Sequence, residues 1–397
     1  MNRRDLLQAC AAIPLTVHVG TLFAAPATQS RLLFVFLRGA YDAASVLVPV
    51  SSQFYYDARP NIAIARPGTG PDSALPLNVD WGLHPALRDT ILPLFGKGQA
   101  AFIPFAGTDN TSRSHFETQD SIELGQPLDG RRDYRSGFLN RLVATIKGAD
   151  ALSALSFTDQ LPLIFQGGVQ VPNTALRSTD KQVIDPRQSN IIAAMYNDTV
   201  LKQQVNDGFQ VRAEVMREMT AEMDAASRNA INTKGFEGEA HRIAKLMKQK
   251  YQIGFIDIGG WDTHVAQGGA TGYLATRLGE LGRGLAGFAQ EMGPSWSDTV
   301  VVVISEFGRT LRENGNRGTD HGHGTVFWVL GGSIRGGRIV GEQVKVDQST
   351  LFQNRDYPVL NEYRAVLGGL FARMYGLDPV QIGKIFSGVK SRDLGLI

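Results

Sequence analysis

Six short runs of apolar and β-branched residues punctuate the chain: Leu32–Leu37, Ala101–Phe105, Pro162–Phe165, Ile253–Ile258, Thr299–Ile304 and Thr325–Leu330. A strand with one wet face alternates apolar with polar residues. Unbroken runs of this length instead fit strands covered on both sides. Between them lie stretches with helical spacing, at about 84–97, 139–147, 273–292 and 361–376. The alternation predicts an α/β architecture, a doubly wound and mostly parallel sheet flanked by helices. Thr299–Ile304, with four consecutive valines, is the candidate central strand. Residues 186–250 break the pattern. They are long, polar and helical, and read as a helical cap or insertion beside the sheet. Met216, Met219 and Met223 form a packing stripe within it, and Asn232–Gly235 a break between helices.

The first 27 residues differ again. Paired Arg3 and Arg4 precede a mildly apolar run to Phe23, and the small residues Ala24-Ala25-Pro26-Ala27 follow. This is the pattern of a twin-arginine export signal, cleaved after Ala25 or Ala27. It predicts a periplasmic or otherwise exported protein that engages the twin-arginine translocase, with residues 28–397 forming the working domain. Thr16 and His18 make the run too polar for a stable membrane span, and no other stretch is apolar enough. Cys10 is the only cysteine, so a disulfide framework and a cysteine-based zinc ribbon are excluded. Lysine and arginine number 40 against 38 aspartates and glutamates, so there is no basic excess to drive nucleic-acid binding. The 44 glycines of 397 residues exceed the usual share of about 7% and imply many tight turns.

In open α/β sheets ligands bind beyond the carboxyl ends of the strands, and the chemically capable residues gather there. Asp42 follows the first run. Arg113-Ser114-His115 follows the second, where Ser114 and Glu117 form a capping box at a helix start. A helix N-terminus favours anions, so Ser114 reads either as a cap or as a nucleophile, with Arg113 able to clamp oxygens and His115 a ligand or an acid–base group. Asp262 and His264 follow the fourth run. Glu306 and Arg309 follow the fifth, and Asp320, His321 and His323 precede the sixth. Of the six histidines beyond the leader, four lie at these mouths. Mixed carboxylate and imidazole ligands suit zinc or manganese better than magnesium or calcium. Gly331–Gly337 lacks the spacing of a phosphate or dinucleotide loop and reads as a turn. His84, before Pro85, heads a helix, and His241 lies on a helical face.

Taken in order, the leader, Leu37-Arg38-Gly39-Ala40-Tyr41-Asp42, Ser112-Arg113-Ser114-His115-Phe116, Gly259-Gly260-Trp261-Asp262-Thr263-His264, Ser305-Glu306-Phe307-Gly308-Arg309-Thr310 and Gly318-Thr319-Asp320-His321-Gly322 resemble an exported bacterial family of uncharacterised function within the alkaline phosphatase/sulfatase superfamily. The resemblance implies one or two divalent metal ions. It implies Asp42, Asp262, His264, Glu306, Asp320 and His321 or His323 as ligands, with Ser114 the nucleophile and Arg113 or Arg309 holding substrate oxygens. The implied reaction is metal-assisted hydrolysis of a small anionic ester, phosphate before sulfate. Phosphate is preferred because no serine stands in a C/S-x-P-x-R context and the mature chain has no cysteine. Two departures matter. Asp262 and His264 are closer in sequence than the superfamily's Asp-x-x-x-His. Its usual Asp-His after the central strand is here Glu306-Phe307, and Phe cannot ligate. The alternative is therefore a degenerate member with a metal-binding, ligand-binding or assembly role.

Overall fold

The computed structural model describes residues 30–146, 153–174, 226–228 and 230–397. The leader, and the part of 186–250 that carries Met216, Met219 and Met223, lie outside these residues.

Eight strands form the main sheet: β1 Arg31–Leu37, β2 Ala100–Gly107, β3 Ala154–Ser156, β4 Ile253–Ile258, β5 Thr299–Ser305, β6 Thr325–Gly331, β7 Arg338–Ile339 and β8 Asn361–Glu362. Their order is β7-β2-β6-β5-β1-β4-β3, with β8 also on β2. β5 lies in the middle of this order, as expected of Thr299–Ile304, and β1 beside it is parallel to both β4 and β5. Among the described strands of this sheet, β6 alone runs antiparallel, to β5 and β2. The alternating residues of β1 serve two cores. Leu33, Val35 and Leu37 face one; Leu32, Phe34 and Phe36 face the other. All six are completely buried, which is why the run shows no polar alternation. Each such side chain contributes about 1.5–3 kcal/mol by leaving water.

The helices that matter for the site are α1 His115–Leu124, α2 Phe138–Thr145, α3 Thr233–Gln249, α4 Tyr273–Met292 and α5 Tyr363–Tyr375. The described end of 186–250 is α3, a flanking helix capped by Asn232, which accepts from Gly235 N. It packs along α4, where a Cβ on Gly284 would meet the ring of Phe236, and it leads directly into β4. A small antiparallel sheet of Leu47–Pro49, Leu75–Pro76 and Trp81–Leu83 lies apart from the main one.

Two elements differ from the sequence reading. Pro162–Phe165 is not a strand; Leu163–Phe165 forms a 3-10 turn. Pro162 has no N–H for a ladder, and the Ile164 N–H is taken by the Glu123 carboxylate. The apolar character of this run serves packing instead: Phe165 meets the Phe255 ring edge to face. Its place beside β4 is taken by the shorter β3. The segment 84–97 is broken into a 3-10 turn at Pro85–Leu87 and a helix at Ile91–Gly96.

Topology fixes where the chemistry collects. Leu37, Ile258 and Ser305 end neighbouring parallel strands in register, so the turns after β1, β4 and β5 leave the sheet at one edge. β6 runs the other way and enters there, bringing the residues before Thr325 to the same place.

Candidate metal centre

His115, Asp262 and His321 offer ligand atoms that all lie within 4.8 Å of one another. Each comes from a different mouth of the sheet. His115 is the first residue of α1, whose N-cap is Ser114. Asp262 and His264 sit on the turn after β4. His321 is held by a short antiparallel bridge to Arg309, in the segment after β5. Two glycines permit this assembly. Gly39 has a φ of +113°, and a Cβ there would lie 2.8 Å from the Asp262 nitrogen. A Cβ on Gly322 would lie 2.5 Å from the Arg309 backbone.

The histidine rings are aimed from behind. His115 Nδ1 lies 2.8 Å from Glu306 Oε1. His321 Nδ1 lies 3.0 Å from the Arg113 carbonyl, and His264 Nδ1 lies 3.3 Å from Asp320 Oδ1. A carbonyl or an ionised carboxylate only accepts, so each Nδ1 carries the proton. Each Nε2 is then left as a potential ligand, the arrangement that metal-binding histidines show. These nitrogens converge: His321 Nε2 lies 2.9 Å from both His115 Nε2 and His264 Nε2. His264 Nε2 is also 2.9 Å from Asp262 Oδ1. Lone pairs cannot face one another at such distances without positive charge between them, supplied by ring protons or by a cation. Asp262 Oδ2 is buried and makes no regular hydrogen bond; His115 Nε2 faces it at 3.4 Å. The set of imidazole nitrogens and one carboxylate therefore fits a divalent metal ion.

The charges agree with the geometry. Burial works against a charge on His115, but its hydrogen bonds to Asp262 and Glu306 outweigh this and hold its pKa at about 9. Burial pushes His321 down, and the charges on His115 and Arg309 add to the effect against the pull of Asp262. Burial alone would raise Asp262, yet the three histidines and Arg309 hold it well below the carboxylate range. Glu306 resists burial in the same way, through His115 and Gln119, and sits at about 2.

Each residue singled out by sequence can now be located. Asp262, His264, His321 and His115 come together. Five others surround them. Glu306 does not point into the centre: Oε1 accepts from His115, Gly39 N and Gln119 Nε2, and Oε2 from Ser305 Oγ. Asp320, half exposed, supports His264. Arg309 is buried and donates to Asp262 Oδ1 at 2.5 Å, with Thr319 accepting from its other two nitrogens, so each nitrogen already has a partner within the protein. Arg113, with a φ of +53°, turns its carbonyl to His321 and its guanidinium to Asp356, at 2.5 and 2.9 Å. Ser114 Oγ accepts from Glu117 N across a long 3.5 Å, which is half of the expected capping box; Ser114 N donates instead to Ser112 Oγ, and the Glu117 carboxylate accepts from Asn110.

Two expected ligands are elsewhere. Asp42 is buried against Arg59, whose Nη1 and Nη2 reach its two oxygens at 2.5 and 2.9 Å. Ser45 and Gln267 also donate to it. His323 packs on the Phe352 ring, with centroids 4.8 Å apart; of the two alternatives, His321 is the one at the centre. Sequence reasoning missed Arg59, Gln267 and Gln119. Gln119 had a signal, since it stands one helical turn after His115 and so shares its face. Arg59 and Gln267 had none.

A family model described as "Protein of unknown function (DUF1501)" matches residues 29–386. No curated protein matches the sequence. Three solved structures show a loose similarity. The lipoteichoic acid synthase LtaP from Listeria monocytogenes is 8% identical, with a TM-score of 0.41 over 92% of this chain and 75% of that one. Ps i-CgsB in complex with k-i-k-neocarrahexaose is 9% identical, with a TM-score of 0.39 over 92% and 75%. A protein in the alkaline phosphatase superfamily from Vibrio parahaemolyticus is 11% identical, with a TM-score of 0.38 over 78% and 62%.

Proposed function

Since the chain belongs to the DUF1501 family of proteins of unknown function, we propose a function from its own site: divalent-metal-dependent hydrolysis of a small anionic ester, phosphate before sulfate. The observation that carries this reading is the convergence of His115, Asp262 and His321, each ring already oriented through its Nδ1. Imidazole-rich ligation favours zinc or manganese over magnesium or calcium. A bound ion of this kind supplies Lewis acidity and lowers the pKa of a nearby hydroxyl or water.

The chain's own residues do the rest. Ser114 heads α1 next to His115, where the free N–H groups of the first turn and the helix dipole receive negative charge. Its bond to Glu117 N is long, so Oγ is released at little cost. Attack by Oγ on phosphorus would form a phosphoserine and expel the alcohol; water would then return the serine and release phosphate. Glu306 and the Arg113 carbonyl keep the two imidazoles aimed throughout.

One observation favours a second reading. The two arginines expected to hold substrate oxygens are already engaged, Arg113 by Asp356 and Arg309 by Asp262. A metal-binding protein without turnover would have no need of a free cation. Metal analysis of the full chain, followed by a screen of aryl phosphate monoesters, diesters and sulfates, separates the readings. Turnover that depends on the ion and disappears in Ser114→Ala, with metal content unchanged, is the expected result. Retained turnover in that variant removes Ser114 from the mechanism, and a metal-loaded chain inert to every ester favours the binding protein.

Export through the twin-arginine translocase belongs to the same proposal. It rests on the residue pattern of the first 27 positions, and changing Arg3 and Arg4 together to lysine should trap the protein inside the cell. No described helix is long and apolar enough to cross a membrane.

A further inference from the structure

We infer that the centre holds a single divalent ion, because Arg59 and Arg309 are built-in cations that already neutralise the carboxylates a second ion would require. This inference rests on the metal-dependent reading above and concerns how many ions that centre takes.

Two-metal sites need carboxylates able to bridge or flank ions about 3.5–4 Å apart. Of three acids near this sheet edge, two are committed elsewhere and the third in part. Asp42 is 1% exposed, and both of its oxygens are held by the Arg59 guanidinium. Arg59 is itself completely buried and is fixed further by the Leu311 and Thr310 carbonyls. With a fifth bond from Nη1 to Ser45 Oγ, this side chain is not free to swing aside for an ion. Glu306 accepts three bonds on Oε1, from His115, Gly39 N and Gln119, and one on Oε2 from Ser305, so Oε1 is fully engaged and Oε2 is turned to Ser305. Asp262 keeps one oxygen free, Oδ2, while Oδ1 is held by Arg309.

The two arginine–aspartate pairs are also joined. Gln267 donates to Asp42 at 2.6 Å and accepts from Thr319 Oγ1 at 2.9 Å. Thr319 Oγ1 in turn accepts from Arg309 Nε at 3.2 Å. Asp42 is thus linked to the centre as a brace, through uncharged side chains, and not as a ligand. Among the described residues this leaves His115, Asp262 and His321, with His264 beside them: enough donors for one ion.

The test is a count. The metal-stripped full chain is titrated with zinc, and separately with manganese, by calorimetry, and the loaded protein is analysed for metal after gel filtration. One ion per chain is expected. Two tightly held ions per chain would overturn this inference while leaving the metal-dependent reading intact; none would overturn both. A paired variant, Asp42→Asn with Arg59→Gln, keeps the buried site neutral. It should bind the ion with a Kd within about threefold of the parent. A loss of a hundredfold or more in a variant that keeps the parent's circular dichroism spectrum would make Asp42 a ligand and refute the assignment.

Discussion

Protonation of one buried histidine, remote from the chemistry in sequence, should destabilise the fold by breaking the cap of the 3-10 turn at Pro85–Leu87. His84 is completely buried. Its Nδ1 accepts from Ala86 N at 3.0 Å, capping the 3-10 turn at Pro85–Leu87, and its Nε2 lies 3.1 Å from the Gly269 carbonyl. The carbonyl requires a proton on Nε2 and the amide requires a lone pair on Nδ1, so the neutral ring is fixed at both ends. A second proton would face the Ala86 N–H. Burial accordingly pushes the pKa down to about 4, against the smaller upward pulls of the Gly269 bond and Asp42. The unfolded chain has an ordinary value near 6.5 and binds this proton first. The stabilisation is therefore present above pH 6.5 and is lost as the pH falls towards 4. At about 1.4 kcal/mol per pH unit, the loss reaches about 2 kcal/mol by pH 5 and about 3 near pH 4. Urea unfolding at pH 7, 6 and 5, of the parent and of His84→Asn, measures it. Asparagine is a good N-cap without a titrating group, so the variant should lack this increment and the two curves should converge as the pH drops. Parallel pH dependences in the two proteins would refute the argument.

Two further changes test the site. Glu306→Gln removes the charge behind His115 while keeping the shape; it should weaken metal binding by about ten- to a hundredfold, read by calorimetric titration, and lower the melting temperature of the metal-free protein, since the buried His115 charge loses a partner. Gly39→Ala places a methyl 2.8 Å from the Asp262 nitrogen in a backbone region that alanine avoids. It should cost about 1–3 kcal/mol in denaturant stability and also lower metal affinity, since the displaced turn carries a ligand.

The sheet was legible because its central strands are buried on both faces, and such burial leaves uninterrupted apolar runs in the sequence. The direction of β6 was not, because a run like Thr325–Leu330 reads the same in either orientation. The site's location followed from the histidines and acids at the ends of these runs. Its internal division of labour did not. Asp42 and Asp262 both follow strands on glycine-bearing turns, and nothing local separates them. What does is a partner brought in by folding: Arg59 meets Asp42 with both nitrogens, while Arg309 meets only one oxygen of Asp262. Glu306 looked like a ligand because it ends the central strand, but the chain places His115 between it and the centre. Pro162–Phe165 was misread for a related reason, since apolar residues are needed wherever the core must be filled, whether or not a ladder runs through them.

The centre draws on residues that are distant along the chain: His115 and His321 are 206 positions apart. An unfolded chain offers an ion no preassembled grip, so ion affinity should arise almost wholly with the native sheet. Ion binding then favours the native state over the unfolded one by an amount that grows with the logarithm of the free ion concentration. If the centre takes an ion as proposed, loading would report on completed folding: a chain misassembled at any one of the contributing turns would retain no ion, and metal content would serve as a gauge of correctly assembled protein.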